Sequence, residues 1–208
     1  MRRLLAVVLV LSTSSFSACT TPGSQIAAQG KTDLAGVTVC CKTLADATVL
    51  PLPTKQRVEV DKMRQAFTFD GGKSFFVMYR LPDFIQPYSI VLNSQPGGNV
   101  SNTSIFLPRV TLLDAKFVQT RHFSETGLRS RGSVFERTIF INPADAGERY
   151  MVIYGADLAT PVDRVLSIVT TTTSPMFVWS SGADVKATLH PSPVGAFDIE
   201  AVDLPAPK

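Results

Sequence analysis

Histidine and tryptophan are scarce in this 208-residue chain, with His122, His190 and a single tryptophan, Trp179. The two histidines lie far apart and lack the short ligand spacings of a zinc or metalloprotease site, so no metal site is expected. No G-x-S-x-G stretch marks a nucleophile elbow. Gly71-Gly72 and Gly97-Gly98 lack the strand-loop-helix setting of a phosphate cradle, and both pairs read as turns. Carboxyls such as Asp114, Glu125 and Glu136 occur in any domain of this size and single out no glycosidase pair. A hydrolase with dispersed residues has no motif in its favour. The expectation is a noncatalytic protein that needs no cofactor.

Charge of one sign is thin as well. The formal net charge is +3 with the N-terminal segment included, and losing Arg2 and Arg3 leaves +1. The one local cluster, Arg121, Arg129, Arg131 and Arg137, is interleaved with Asp114, Glu125 and Glu136, which reads as a solvated mixed-charge face and excludes a nucleic-acid partner. Long apolar runs are missing after residue 19, so any membrane attachment has to come from a lipid rather than a spanning helix.

The one sustained apolar run, residues 4–11, follows Arg2-Arg3 and precedes Phe16-Ser17-Ala18-Cys19. Charged, apolar and cleavage regions in that order are those of a secretory signal, and the run is too short to span a bilayer. Small residues directly before a cysteine resemble a bacterial lipobox, although Phe16 stands where leucine is usual. The expectation is a signal peptide at 1–18, removed to leave Cys19 diacylated as the new N-terminus. The competing expectation is ordinary cleavage nearby, with Cys19 a plain thiol. In lipobox families an aspartate after the cysteine retains the protein at the inner membrane. Thr20 stands there, which implies the periplasmic face of the outer membrane.

Residues 19–36 are rich in Thr, Gly, Gln, Ala and Ser without sustained periodicity and read as a lipidated flexible tether. Residues 37–208 suit one domain, large enough to bury a core without staples. Once Cys19 is acylated, Cys40 and Cys41 are an even pair in an oxidising compartment, a candidate disulfide with an architectural role. They could close on each other, pair between molecules or stay as buried thiols.

Period-two runs rich in β-branched and aromatic residues follow: 57–60, 66–69, 74–81, 88–94, 104–107, 110–114, 134–141, 150–154 and 196–202. They are punctuated by turn chemistry such as Asp70-Gly71-Gly72 and Gln95-Pro96-Gly97-Gly98-Asn99. Pro108 suggests an edge strand or a bulge, and the apolar run 150–154 belongs centrally in a sheet. Thr160 as N-cap and Pro161 at the first helical position suggest a short helix over 157–165. Residues 170–175 read as a loop before a short strand at 176–179. The pattern predicts an all-β, antiparallel β-sandwich, jelly-roll-like, with at most one short helix.

Aromatic side chains can stack on sugar faces, which makes Trp179, Tyr88 and Tyr154 candidates for glycan stacking, with burial in the core as the competing reading. Trp179 is the most open of the three because Ser180-Ser181-Gly182 follows it.

The order of segments resembles the maltose operon periplasmic protein family (MalM-like). The resemblance lies in Cys40-Cys41 followed by Leu50-Pro51-Leu52, the strand ending Leu81-Pro82, Tyr88-Ser89-Ile90, and above all Ser104-Ile105-Phe106-Leu107-Pro108 followed by Val110-Thr111-Leu112-Leu113-Asp114. Tyr150-Met151-Val152-Ile153-Tyr154 and the strand at 195–202 complete it. It implies a periplasmic protein associated with carbohydrate uptake and carries over no catalytic residue or ligand site. The chain departs from the family in its lipobox and its shorter C-terminal end. The expected function is therefore that of a lipoprotein assisting carbohydrate transport or binding a glycan. The alternative is a structural lipoprotein that docks another protein of the envelope or a secretion machine through an exposed strand edge.

Overall fold

The computed structural model describes residues 20–131, 134–155 and 160–204, with the backbone alone at 166–168. The signal region and Cys19 lie outside them. In chain order the elements are α1 (Gly23–Gly36), β1 (Leu50–Pro51), β2 (Lys55–Val60), β3 (Gln65–Phe69), β4 (Gly72–Arg80), β5 (Tyr88–Gln95), β6 (Gly97–Gly98) and β7 (Asn102–Ile105). They continue as β8 (Pro108–Asp114), β9 (Gln119–Phe123), β10 (Arg129–Arg131), β11 (Val134–Ile141), β12 (Glu148–Gly155), β13 (Val162–Ser174), β14 (Phe177–Pro191) and β15 (Gly195–Val202).

Two sheets pack face to face, as the alternating runs predict. The first runs β1-β4-β12-β8-β9, with β3 sharing one edge of β4 with β1. The second runs β10-β11-β5-β15-β2 and is antiparallel throughout. Between them lie Phe75, Val77, Tyr79, Val110, Leu112, Met151 and Ile153 from the first sheet. Val58, Val60, Ile90, Leu92, Ile139, Phe197 and Ile199 face them from the second. Each such side chain contributes roughly 1.5–3 kcal/mol by leaving water, and this layer dominates the stability.

The first sheet is apolar on its outer face too. Phe76, Met78, Val152 and Tyr154 are buried there beneath Phe67, Phe69 and the segment carrying Leu44 and Val49. That double burial explains why β4 reads as a continuous apolar run. The run at 150–154 forms β12, between β4 and β8. Pro108 lies neither at an edge nor at a bulge. It opens the interior strand β8, where the first residue tolerates a missing N–H.

Three further expectations fail. Residues 170–174, expected as a loop, belong to strand β13, where the β-branched threonines pair with β14. Residues 162–165 form the start of strand β13 rather than a helix, because the β-branched residues that follow pair continuously with β14. Residues 156–159 of that expectation lie outside the described residues. The expected tether is, from Gly23 onward, the helix α1, which packs on the domain. Its buried residues are Gly23, Ala27 and Gly30, spaced i, i+4, i+7, a face of small residues that half-buried Leu34 continues onto the inter-sheet core. A Cβ at Gly23 would overlap the backbone of Thr103 and Ser104, so close approach replaces bulk in this contact. Gly30 lies against Val194. The helix C-terminal end is held by Lys73, whose Nζ donates to the carbonyls of Ala35 and Val37.

Candidate functional site: a projecting β-arm

β13 and β14 form a hairpin paired in unbroken register from Val162↔Leu189 to Ser174↔Phe177. Pro175 and Met176 make its two-residue turn, a position that suits the fixed φ of proline. Only the last residues of β14 join the domain: Thr188 to Pro191 pair in parallel with Asn102 to Ile105 of β7. The root is further fixed by Leu189, which packs with Ile105 and Leu107, and by Thr188 Oγ1 donating to Asp163 Oδ1 at 2.8 Å. Beyond Ala187 the ribbon leaves the body, and β13 ends the sheet order with no strand on its outer side among the described residues.

Direct cross-strand partners share a face, so Thr172 with Trp179 and Ser174 with Phe177 stand on one side. Thr173 with Val178 and Thr171 with Ser180 stand on the other, and the two hydroxyls of the last pair are 3.1 Å apart. Residues 165–183 carry no charged side chain. Asp163, Arg164, Asp184 and Lys186 stand at the root end. Arg164 lies over the Phe135 ring at 5.7 Å. At the far end Met176, Phe177, Val178 and Trp179 are all exposed, Met176 at 93% and Trp179 at 63%.

The three candidate stacking aromatics do not form one platform. Trp179 stands exposed near the tip of the arm. Tyr88, 4% exposed, belongs to the inter-sheet core, where burial pushes its hydroxyl pKa up to about 12. Tyr154, 7% exposed, stacks on Phe69 with ring centroids 3.8 Å apart. Tyr88 and Tyr154 are core aromatics with no open face for a sugar, because the strands carrying them are covered on those sides. Sequence alternation could not separate these roles, since an aromatic in a strand looks alike on a covered and an uncovered face.

The arginine cluster is also less solvated than expected. Arg121 is half-buried and Arg137 buried, both lying over the Phe123 ring at 5.5 Å. Burial holds the Arg137 guanidinium below its ordinary pKa, and the Ser124 carbonyl accepts from its Nη2. Arg129 and Arg131 are exposed on β10. Nearby, Arg109 Nε donates to Glu125 Oε2 at 2.6 Å, which holds that carboxyl below its ordinary value.

His122 on β9 hydrogen-bonds Thr111 through Nδ1 at 3.1 Å. His190 lies in a different sheet, on β14 opposite Ser104 of β7, with its Nε2 buried at the arm's root. Cys40 and Cys41 are joined to each other by a disulfide, and the Cys40 amide donates to the Ala66 carbonyl at 2.8 Å, fixing the turn against β3. No family model matches this chain, and no curated protein matches its sequence.

Proposed function

We propose that this is an exported, lipid-anchored, noncatalytic protein of the bacterial envelope that works as a docking piece, with the β-arm as its contact element. The observation that carries the reading is the outer edge of β13, thirteen residues long and without a neighbouring strand among the described residues. An unpaired strand edge offers a row of backbone donors and acceptors, and an extended segment of a partner can complete it by strand addition. Folded proteins usually blunt such edges with charge, proline or a bulge. Residues 165–174 contain none of these charges or prolines, which fits an edge kept open for a partner.

The resemblance to maltose operon periplasmic proteins supports carbohydrate uptake as the pathway. On this reading the chain serves that pathway through a docked envelope protein rather than by holding the sugar itself. Thr171 replaced by a photo-crosslinking residue, in cells, tests the proposal. One defined envelope protein captured, and lost on Val169→Pro, is the expected result. Maltodextrin or peptidoglycan fragments bound in calorimetry by the arm-deleted protein would overturn it in favour of glycan binding.

A further inference from the structure

The arm changes composition along its axis. Charged residues stand at the root, Val165 and Val169 are exposed on β13 beyond them, Thr170, Thr171, Ser180 and Ser181 form a hydroxyl belt, and Met176, Phe177, Val178 and Trp179 make the tip opposite Thr172, Thr173 and Ser174. At the tip both faces carry large apolar side chains: Phe177 and Trp179 beside Ser174 and Thr172 on one, Val178 beside Thr173 on the other, and Met176 in the turn between. A protein groove that took one face would leave the other wet. Entry tip-first into an apolar layer covers both and leaves the hydroxyl belt nearer the water.

The placement of α1 bears on which layer that is. Ser24 N–H donates to Asn102 Oδ1 at 2.7 Å, Gly23 abuts Thr103 and Ser104, and Gly30 meets Val194. The helix therefore starts beside the first residue of β7 and runs in the same sense as that strand. β14 is parallel to β7, so its free portion extends from Asn102 in the opposite sense. The start of α1 thus faces the end of the domain from which the arm projects. Cys19 is four residues before Gly23, a reach of at most about 14 Å. The arm extends roughly 34 Å past its root.

We infer that the arm tip, Met176 to Trp179, seats in the interfacial layer of the same membrane that holds the lipid on Cys19, as a second, non-covalent attachment point. This rests on the lipid-anchored reading above. Trp179 is the third residue of β14 from the turn, so seating it takes in about 10 Å of ribbon, and less than that in depth for an inclined ribbon, within the range of interfacial elements; tryptophan suits that layer. The ribbon does not cross the bilayer, because its open edges would carry unsatisfied backbone groups into hydrocarbon. Since the Cys19 reach is shorter than the arm, the arm lies inclined to the surface. The tip then holds the open edge of β13 close to the membrane plane, so the docked partner is met there.

Trp179, the single tryptophan, is the reporter. The chain from residue 19 is attached to phosphatidylethanolamine–phosphatidylglycerol vesicles in two ways: through its own acyl groups, and as Cys19→Ser through an N-terminal histidine tag on nickel-chelating lipid. In both, Trp179 emission shifts to the blue and is quenched by lipids brominated near the headgroup. Phe177→Ser weakens vesicle partitioning of the untethered chain roughly tenfold or more, as burial of one phenylalanine implies. Phe140→Ser, at an exposed phenylalanine on β11, leaves it unchanged. Trp179 emission that stays water-like on vesicle-bound protein overturns the inference while leaving the lipid anchor standing. Quenching on the tagged form, together with native protein that carries no acyl group, sustains the tip contact and removes the anchor. A photo-crosslinker at Trp179 that captures protein but no lipid in cells also overturns it.

Discussion

Arg121 closes a two-point ion pair with Glu148, Nε to Oε1 at 2.8 Å and Nη2 to Oε2 at 2.7 Å. Its Nη1 also donates to the Phe140 carbonyl at 3.0 Å, so one guanidinium joins β9 and β12 of the first sheet to β11 of the second. The Glu148 side chain is 3% exposed, and the carboxylate holds the Arg121 pKa above its ordinary value. Arg121→Ala leaves that buried carboxylate without its cation, with Thr120 Oγ1 still donating to Oε1 at 2.8 Å, and costs about 3 kcal/mol, the low end for a broken buried pair because Arg121 itself is partly wet. Arg121→Lys restores the charge without the fork and recovers part of the loss. Urea unfolding of the three proteins ranks them; equal midpoints would remove the staple.

The seat of α1 makes a second expectation. Gly23→Ala forces a Cβ into the backbone of Thr103 and Ser104, which cannot yield locally, and destabilises by about 1–3 kcal/mol. Gly30→Ala meets only the Val194 side chain, which can turn aside, and costs less. Trypsin cleavage after Lys31 reads the outcome: slow in the parent, fast in Gly23→Ala. Rapid cleavage of the parent would return this segment to a loose tether.

Alkali should weaken the sandwich. Burial raises both Tyr79 and Tyr88 from 10.0 to about 12. Between those values the unfolded chain releases their protons and the folded chain keeps them, so stability present below pH 10 declines as pH climbs toward 12. Tyr88→Phe removes its share of this slope. Denaturant midpoints at pH 9 and pH 11 test the sign, which fails if the two midpoints coincide in the parent.

Hydrogen exchange separates the arm from the body. Amides of β4 and β12, interior strands with neighbours on both sides, are expected to exchange only in global unfolding. Outward amides of β13 exchange fastest among the strands, and amides of β14 directed at β13 fall between. Protection of β13 equal to that of β12 in the purified protein would show its edge already covered.

Most of the sandwich was legible because alternation and turn chemistry agree there: Asp70-Gly71-Gly72 turns β3 into β4, and Phe197, Ile199 and Ala201 are buried between less buried Asp198 and Glu200. α1 was hidden because its buried face is Gly23, Ala27 and Gly30, with Leu34 the one large apolar residue continuing it, so the spacing carried little hydrophobic signal, and Gly30 in the interior lowers helix propensity. The arm was hidden by Thr160-Pro161, whose capping chemistry suggests a helix, and by the threonine run at 170–173, which resembles a loop. The β-branched content of 165–173 was the available clue. Of the proposed site, Trp179 alone was named from sequence, and for a different chemistry.

The grip of Gly23 on Thr103 and Ser104 sets a mechanical route through the molecule. Tension applied at residue 19 enters the fold at that contact and passes sideways into β7, and from β7 into the parallel-paired root of β14. The face-to-face sheets meet α1 further along, at Leu34 and at its far end where Lys73 donates to the carbonyls of Ala35 and Val37. A pull on the leader end would therefore be felt at the arm before the sandwich gave way, making the small-residue seat a transmission point between whatever holds the N-terminus and whatever the arm touches.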